Sequence, residues 1–271
     1  MVNATISAVI AVKDEEIIIE RCLKHIQWVD EIIIIDNGSS DRTVSICKKY
    51  TKNVFSIKGN ILIPELQQKG IEKATKEWVI ILDADVLVTS NAAGEIREQI
   101  QKKNYDGFYL IHKNYFLGSP LRSHFSSHKI LKLFRRKAAF FEGKTAHEAV
   151  TFLGNRVGTI KNYLIHDTHP NIKIFLRKIN KYSSQDAYKL SQGDKAGIMC
   201  TQIKHISWIN FIFTPLLYFI NFFLRRRAFL DGVRGFIQSV IFSLYVFLER
   251  AKLYEININK EQNTQLKHRK L

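Results

Sequence analysis

The stretch Trp28–Thr43, WVDEIIIIDNGSSDRT, decides the fold. Four consecutive isoleucines, Ile32 to Ile35, are β-branched and apolar on both faces of any strand they form, so the strand is covered on both sides. The run stops at an acid, Asp36, and at a turn, Asn37-Gly38-Ser39-Ser40, where Gly38 permits a tight bend close to a ligand. Asp41-Arg42-Thr43 then opens a helix, with Ser40 or Asp41 as its N-cap. A second stretch has the same grammar. In Glu72–Asp85, EKATKEWVIILDAD, the apolar strand Trp78 to Leu82 runs into Asp83-Ala84-Asp85.

Outward from these two blocks the alternation continues. Ile6 to Val12 reads as a buried strand, and Glu15 to Ile26 as a helix with Ile18, Cys22 and Ile26 on one face. A strand is expected over Asn53 to Ile57 and a helix over Ile63 to Thr75. Strands alternating with helices, and apolar on both faces, imply an α/β fold with a mostly parallel central sheet flanked by helices. Ligands of such sheets bind at the carboxyl ends of the strands, where Asp36, Asp83 and Asp85 all stand. Beyond Asp106 the texture changes. Strands are expected over Phe108 to Phe116, Ile130 to Phe134 and Gly158 to Ile165, the last just before His166. Phe140 to Val150 is aromatic and carries His147 and Glu148, and Asn171 to Leu190 reads as a helix.

Trp208 to Leu224 and Gly235 to Leu248 are strongly apolar, separated by Arg225-Arg226-Arg227. Each falls short of the roughly 20 clean residues of a spanning helix, and the first carries Pro215 and two asparagines. In-plane interfacial helices with arginines at anionic headgroups fit this pattern. A hydrophobic cap on the catalytic domain and a dimer interface are the alternatives. The expected division is an α/β domain over 1–200, with a first half over 1–105 that carries the strand-end acids and a second half over 106–200. A membrane-associating helical region over 201–255 and a basic polar tail over 256–271 follow.

Composition narrows the class. Across 271 residues, 41 Lys and Arg against 25 Asp and Glu give a formal charge of +16, a field that favours polyanionic partners without choosing among them. The three cysteines, Cys22, Cys47 and Cys200, lie far apart with no CxxC spacing. This argues against a disulfide framework or a zinc site and fits a reducing cytosol. Met1 to Ala11 has no basic segment ahead of its apolar run and reads as a strand rather than a signal peptide.

Asp83 and Asp85, one residue apart at a strand end, are the spacing that binds Mg²⁺ or Mn²⁺ directly or through water beside a diphosphate. Asp36 is placed to accept hydrogen bonds from a uracil ring or a ribose. His166 is read as a third metal ligand, a phosphate donor or a structural residue. Arg135, Arg136 and Arg177 can contact a diphosphate or an acceptor phosphate, or simply face solvent.

These blocks, with Ser7-Ala8-Val9-Ile10 and Lys13-Asp14-Glu15-Glu16, resemble the inverting family-two glycosyltransferases of the Rossmann-like GT-A fold. The chain is most similar to the subgroup around lipopolysaccharide core β-glucosyltransferases. Lys113–Gly118, Leu131–Arg136, Ala146-His147-Glu148, Lys178–Tyr182, Phe229–Gly232 and Ala251–Glu255 extend the resemblance over about Ser7 to Glu255. It implies that Ala11, Lys13 and Glu15 line the nucleotide site with Asp36, and that Asp83 and Asp85 hold the metal and the donor diphosphate, with Arg135 also on the donor. Glu148 is the candidate base that deprotonates the acceptor hydroxyl; ion pairing of His147 or Glu148 with Arg135 or Arg136 is the alternative. The donor is then a nucleoside diphosphate hexose, UDP-linked, with glucose the sugar suggested. The acceptor is a glycolipid or lipid-linked glycan, met by a cytoplasmic enzyme peripheral at the inner face of the cell membrane, with no nucleic acid as partner.

Two departures from the family pattern stand out. Asp14 replaces the usual Asn, and Gln67-Gln68-Lys69-Gly70 replaces a basic-Asn pair, which leaves the donor sugar open. A nucleotidyltransferase of related fold normally carries a glycine-rich loop after the first strand, where this chain has Lys13-Asp14-Glu15-Glu16. A non-enzymatic protein binding nucleic acid or anionic lipid accounts for the charge but not for acids at parallel strand ends.

Overall fold

The computed structural model describes residues 3–59, 61–124, 126–142, 150–197, 203 and 207–268. The elements run β1 (Ile6–Val12), α1 (Ile19–Lys24), β2 (Glu31–Asp36), α2 (Thr43–Cys47), β3 (Val54–Ser56), α3 (Ile63–Lys73), β4 (Trp78–Leu82), β5 (Val86–Leu87) and α4 (Ser90–Gln101). Then come β6 (Gly107–Phe116), β7 (Ser119–Pro120), β8 (Ser127–Arg135), β9 (Ala139–Phe140), β10 (Thr151–Phe152), β11 (Val157–Thr159), β12 (Leu164–His169) and α5 (Ile172–Ser191). The chain ends on α6 (Trp208–Ile220) and the long α7 (Val233–His268). These elements form two compact units, residues 1–114 with 127–168, and residues 115–126 with 169–271.

The first unit is a mixed α/β layer. Its sheet has the order β3-β2-β1-β4-β8-β6-β12-β5. β3, β2, β1 and β4 are parallel, as their two-sided apolar character requires, while β8 and β6 join antiparallel. One face is filled by Val9, Ile33, Ile35, Val79 and Ile81 packed with Leu66 and Ile71 of α3. Gly70 makes that approach possible, since a Cβ there would lie 2.2 Å from Val9 Cγ1.

Two expectations are corrected. The helix expected from Glu15 begins only at Ile19, because Asp14 takes a left-handed φ of 57° and residues 15–18 close as turns. The single strand expected over Gly158 to Ile165 is two. Lys161 and Asn162 turn aside to donate backbone N–H groups to the Glu95 carboxylate at 2.8 Å each. His166 therefore lies inside β12 and not after a strand.

The second unit is helical. α5 starts on Asn171, whose side chain accepts from the Ile174 N–H at 2.9 Å, and packs through Phe175 and Ile179 in a core with Tyr218, Phe222 and Tyr245. α6 contains Pro215 and loosens into a π-helical turn over Asn221–Arg225. Arg227, at φ 58°, then reverses the chain into a short 3₁₀ turn before α7. Gly235 of α7 sits so close to that turn that a Cβ would lie 1.8 Å from the Ala228 carbonyl oxygen. Both apolar stretches leave a stripe in solvent: Ile212, Phe213, Leu216 and Leu217 on α6, and Val233, Phe236, Val240 and Leu244 on α7. Among the described residues no helix is long and apolar enough to cross a membrane.

Candidate active site

Because β1 lies between β2 and β4, the carboxyl ends of the three strands share one edge of the sheet. Val12 is in register with Asp36, and Ile10 with Leu82, so Asp36 and Asp83 flank the end of β1 on either side. The two loops leaving β1 and β2 are laced together. The Asp14 N–H donates to Ser39 Oγ at 2.9 Å, and the Ser40 N–H to Asp14 Oδ1 at 2.8 Å. The Glu15 N–H donates to Thr43 Oγ1 at 2.8 Å, and the Glu16 N–H to Asp41 at 3.1 Å. Asp14 accepts through Oδ1, an atom an asparagine also has, and both residues tolerate a left-handed backbone. The departure at this position therefore leaves the loop geometry in place.

Asp36 is 2% exposed and accepts the Ser39 N–H through Oδ1 at 3.0 Å, which fixes the turn beside it. Ala11 is half-buried at the end of β1, Lys13 is exposed, and Glu15 is partly covered. Asp41 accepts from the Thr43 N–H at 2.9 Å, which closes an Asx turn ahead of α2; the N-cap is Arg42, which makes no side-chain capping bond, so neither Ser40 nor Asp41 is the cap expected from the sequence.

Across β1 stands the second group. Asp83 Oδ2 accepts from Lys132 Nζ at 2.6 Å, and Lys132 is 8% exposed on β8, the strand antiparallel to β4. A buried ammonium needs such a partner. Asp85 leads into β5, where Val86 pairs with His166 of β12 and the Asp167 N–H donates to the Asp85 carbonyl at 2.9 Å. This brings His166 Nε2 to 3.4 Å from Asp85 Oδ1. His166 Nδ1 lies 2.8 Å from Asn114 Oδ1, which places the ring proton on Nδ1 and turns the Nε2 lone pair toward Thr168 Oγ1, at 3.0 Å, and Asp85. Two further imidazoles adjoin it, His112 and His128. Burial, then the Lys132 charge, pushes His112 down to about 2, so its ring is neutral, and burial likewise lowers His128.

A cavity of about 680 Å³ opens beside Asp83 and Lys132, lined also by Gln67, Tyr109, Phe141 and Val150, a size suited to a small ligand. Gln67 faces this space, while Gln68 is committed to the Phe141 N–H at 3.0 Å. Arg135 is not at this edge. It stands in register with Trp78, at the opposite end of β4, roughly 16 Å away along the strand. Its guanidinium lies over the Trp78 ring and pairs with Glu77 and Asp106. Those partners hold it away from any ligand at the carboxyl edge. Glu148 lies outside the described residues.

Lys132, His112 and His128 were not singled out in the sequence. The signal for Lys132 was present: a lone lysine inside the apolar run Ile130 to Phe134. His112 and His128 become neighbours only through the β6–β8 register, in which they are directly opposite.

The family model described as glycosyl transferase family 2 matches residues 7–181. An uncharacterized glycosyltransferase of Rickettsia typhi is 30% identical over 93% of this chain and 88% of its own length. The lipopolysaccharide core biosynthesis glycosyltransferase LpsC of Rhizobium meliloti is 25% identical over 92% of each chain. Among solved structures, S. aureus TarS 1–349 with UDP is similar at 13% identity and a TM-score of 0.48, covering 96% of this chain and 92% of that one.

Proposed function

The chain belongs to glycosyl transferase family 2 and is a glycosyltransferase, and from that premise we propose that it transfers a hexose from a UDP-sugar to a hydroxyl of a lipopolysaccharide or related glycolipid precursor, with inversion. The observation that carries this reading is the placement of Asp36 and Asp83 on either side of the end of β1, with Asp85 two residues beyond. Asp36 and the laced loop then receive the base and ribose, and the Asp83–Asp85 side receives the diphosphate. The cavity beside Asp83 receives the sugar, with Gln67 among its polar contacts. The likeness to LpsC, at 25% identity, supports a cell-envelope glycan as the acceptor.

Asp85 and His166, with a carboxylate oxygen and an imidazole lone pair 3.4 Å apart, are a donor set that fits a divalent ion, with Asp83 adjoining. A Mg²⁺ or Mn²⁺ ion bound there supplies charge neutralisation of the leaving diphosphate. The remaining chemistry belongs to the chain. Lys132 adds a buried positive charge beside Asp83. Glu148 takes the proton from the acceptor hydroxyl as its oxygen bonds to the anomeric carbon and the anomeric carbon–diphosphate bond breaks. A panel of nucleotide sugars tests the donor assignment. The matching UDP-sugar should raise the melting temperature, by the equivalent of about 2.7 kcal/mol at a hundred times its Kd, and a GDP- or CMP-sugar should not. Equal stabilisation by all of them would overturn the choice of nucleotide.

The second unit supports a peripheral membrane location. Val233, Phe236, Val240, Leu244 and Phe247 recur at three- and four-residue steps along α7 and are all exposed, an apolar helical stripe. Arg225 and Arg227, also exposed, precede it. In-plane insertion would bury the stripe among acyl chains, and each headgroup-level arginine adds about 1 kcal/mol on an anionic leaflet. In vesicle sedimentation the chain should bind anionic vesicles more tightly than neutral ones, with high salt weakening binding only in part. Replacing Arg225, Arg226 and Arg227 with Gln should remove the anionic preference. Indifference to both vesicle types would point to a protein interface instead.

A further inference from the structure

Three imidazoles meet beside Asp85, one from each of three strands: His112 on β6, His128 on β8 and His166 on β12. One ring nitrogen of each lies within 4.8 Å of the other two, and the ring centroids are 5.1 to 5.8 Å apart. The β6–β8 register sets His112 directly opposite His128, so both side chains leave the sheet on the same face. This is a costly arrangement if it serves packing alone. His112 is 1% exposed, and its Nε2 is buried with no hydrogen-bond partner among the described residues. An unsatisfied buried polar atom of this kind is rare in folded proteins and calls for a ligand or a strain-bearing role.

We propose that His112, His128 and His166 form a three-imidazole site for one divalent transition ion of borderline softness, Zn²⁺ or Co²⁺, in preference to Mg²⁺. Neutral imidazole is a ligand of choice for such ions, whereas Mg²⁺ takes oxygen donors and keeps its waters. His166 is already oriented for the role, its Nδ1 toward Asn114 and its Nε2 lone pair toward Asp85. The cationic Lys132 nearby is compensated by Asp83 at 2.6 Å. Closing on a zinc-sized ion brings the nitrogens to roughly 3.3 Å from one another. His128, the exposed member, is the ring with room to move. The site rests on the functional reading above only for its consequence. His166 has one free ring nitrogen, so an ion held by the three imidazoles takes it from the Asp85 side and leaves Asp83 and Asp85 as the carboxylates for the donor metal.

The test is made on the full chain, stripped with chelator, in the absence of nucleotide, with Zn²⁺ or Co²⁺ alone as probe. One ion per chain is expected by equilibrium dialysis, with a visible Co²⁺ absorption characteristic of a low-symmetry nitrogen-rich site, and excess Mg²⁺ should not displace it. His128→Ala, at an exposed position that leaves the core untouched, should lower Zn²⁺ affinity at least about tenfold and alter the Co²⁺ spectrum. His25→Ala, an exposed histidine outside the cluster, should change neither. Absence of stoichiometric binding, or an affinity unchanged by His128→Ala, overturns the site. An equal loss in His25→Ala overturns it too, since the ion is then adventitious. Because no nucleotide sugar is present, a failure here is separable from a failure of the glycosyl-transfer reading, which the donor panel addresses.

Discussion

Asp85→Ala should lower glycosyl transfer by roughly a hundredfold to a thousandfold while leaving the fold intact, the scale seen when one preorganised electrostatic group is removed from a site of developing charge. Asp85 is the cleaner of the two strand-end acids to change. Asp83 is the counter-ion of Lys132, so removing it leaves a buried ammonium unpaired and mixes a stability effect into the kinetics. The Asp85 carbonyl accepts the Asp167 N–H, and alanine keeps that bond. The loss should appear in kcat and kcat/KM together, because the carboxylate serves the diphosphate as it leaves more than as it binds. Circular dichroism and melting temperature should stay near wild type. Wild-type turnover by the variant, or by the native chain in excess chelator, would remove the carboxylate from the donor site.

The first hundred residues were largely legible because their signals are local. Ile32 to Ile35 and Val79 to Leu82 can be covered on both faces only inside a parallel layer, and each ends on an acid at the edge where such sheets bind ligands. The second half depends on pairings between distant segments. Nothing in Gly158 to Ile165 announces that Glu95, on α4, pulls Lys161 and Asn162 out of line and so moves His166 into β12. The antiparallel pairing of β8 with β4, and of β6 with β8, determines that Lys132 meets Asp83 and that His112 faces His128. The same pairing sends Arg135 to the far end of β4. A motif reading that groups Leu131 to Arg136 as one block cannot separate Lys132 from Arg135, yet alternation and register place them at different ends of the strand. The apolar stretch at Trp208 to Leu224 was legible as helix, but its π-helical ending over Asn221–Arg225 was not.

Glu148→Gln should abolish transfer to the acceptor, by about a hundredfold to ten-thousandfold, while donor binding survives. The substitution preserves size and hydrogen bonding and removes only the ability to take a proton. The case for Glu148 is its chemistry and its place in the chain. Phe141 and Val150 both line the cavity that holds Asp83, and Glu148 lies two residues before Val150 in sequence. The other acids of this region are less suited. Asp106 accepts the Asn155 and Arg156 N–H groups at 3.2 Å each and pairs with Arg135, which commits its carboxylate to a turn at the opposite end of β4. Glu142, exposed and one residue beyond Phe141, is the remaining alternative. The measurement separates binding from chemistry: the UDP-sugar should stabilise Glu148→Gln as well as wild type in a melting assay, and product should fail to form in a single-turnover assay. Should Glu148→Gln turn over at near wild-type rates, Glu148 is structural, and Glu142→Gln becomes the variant that must lose activity.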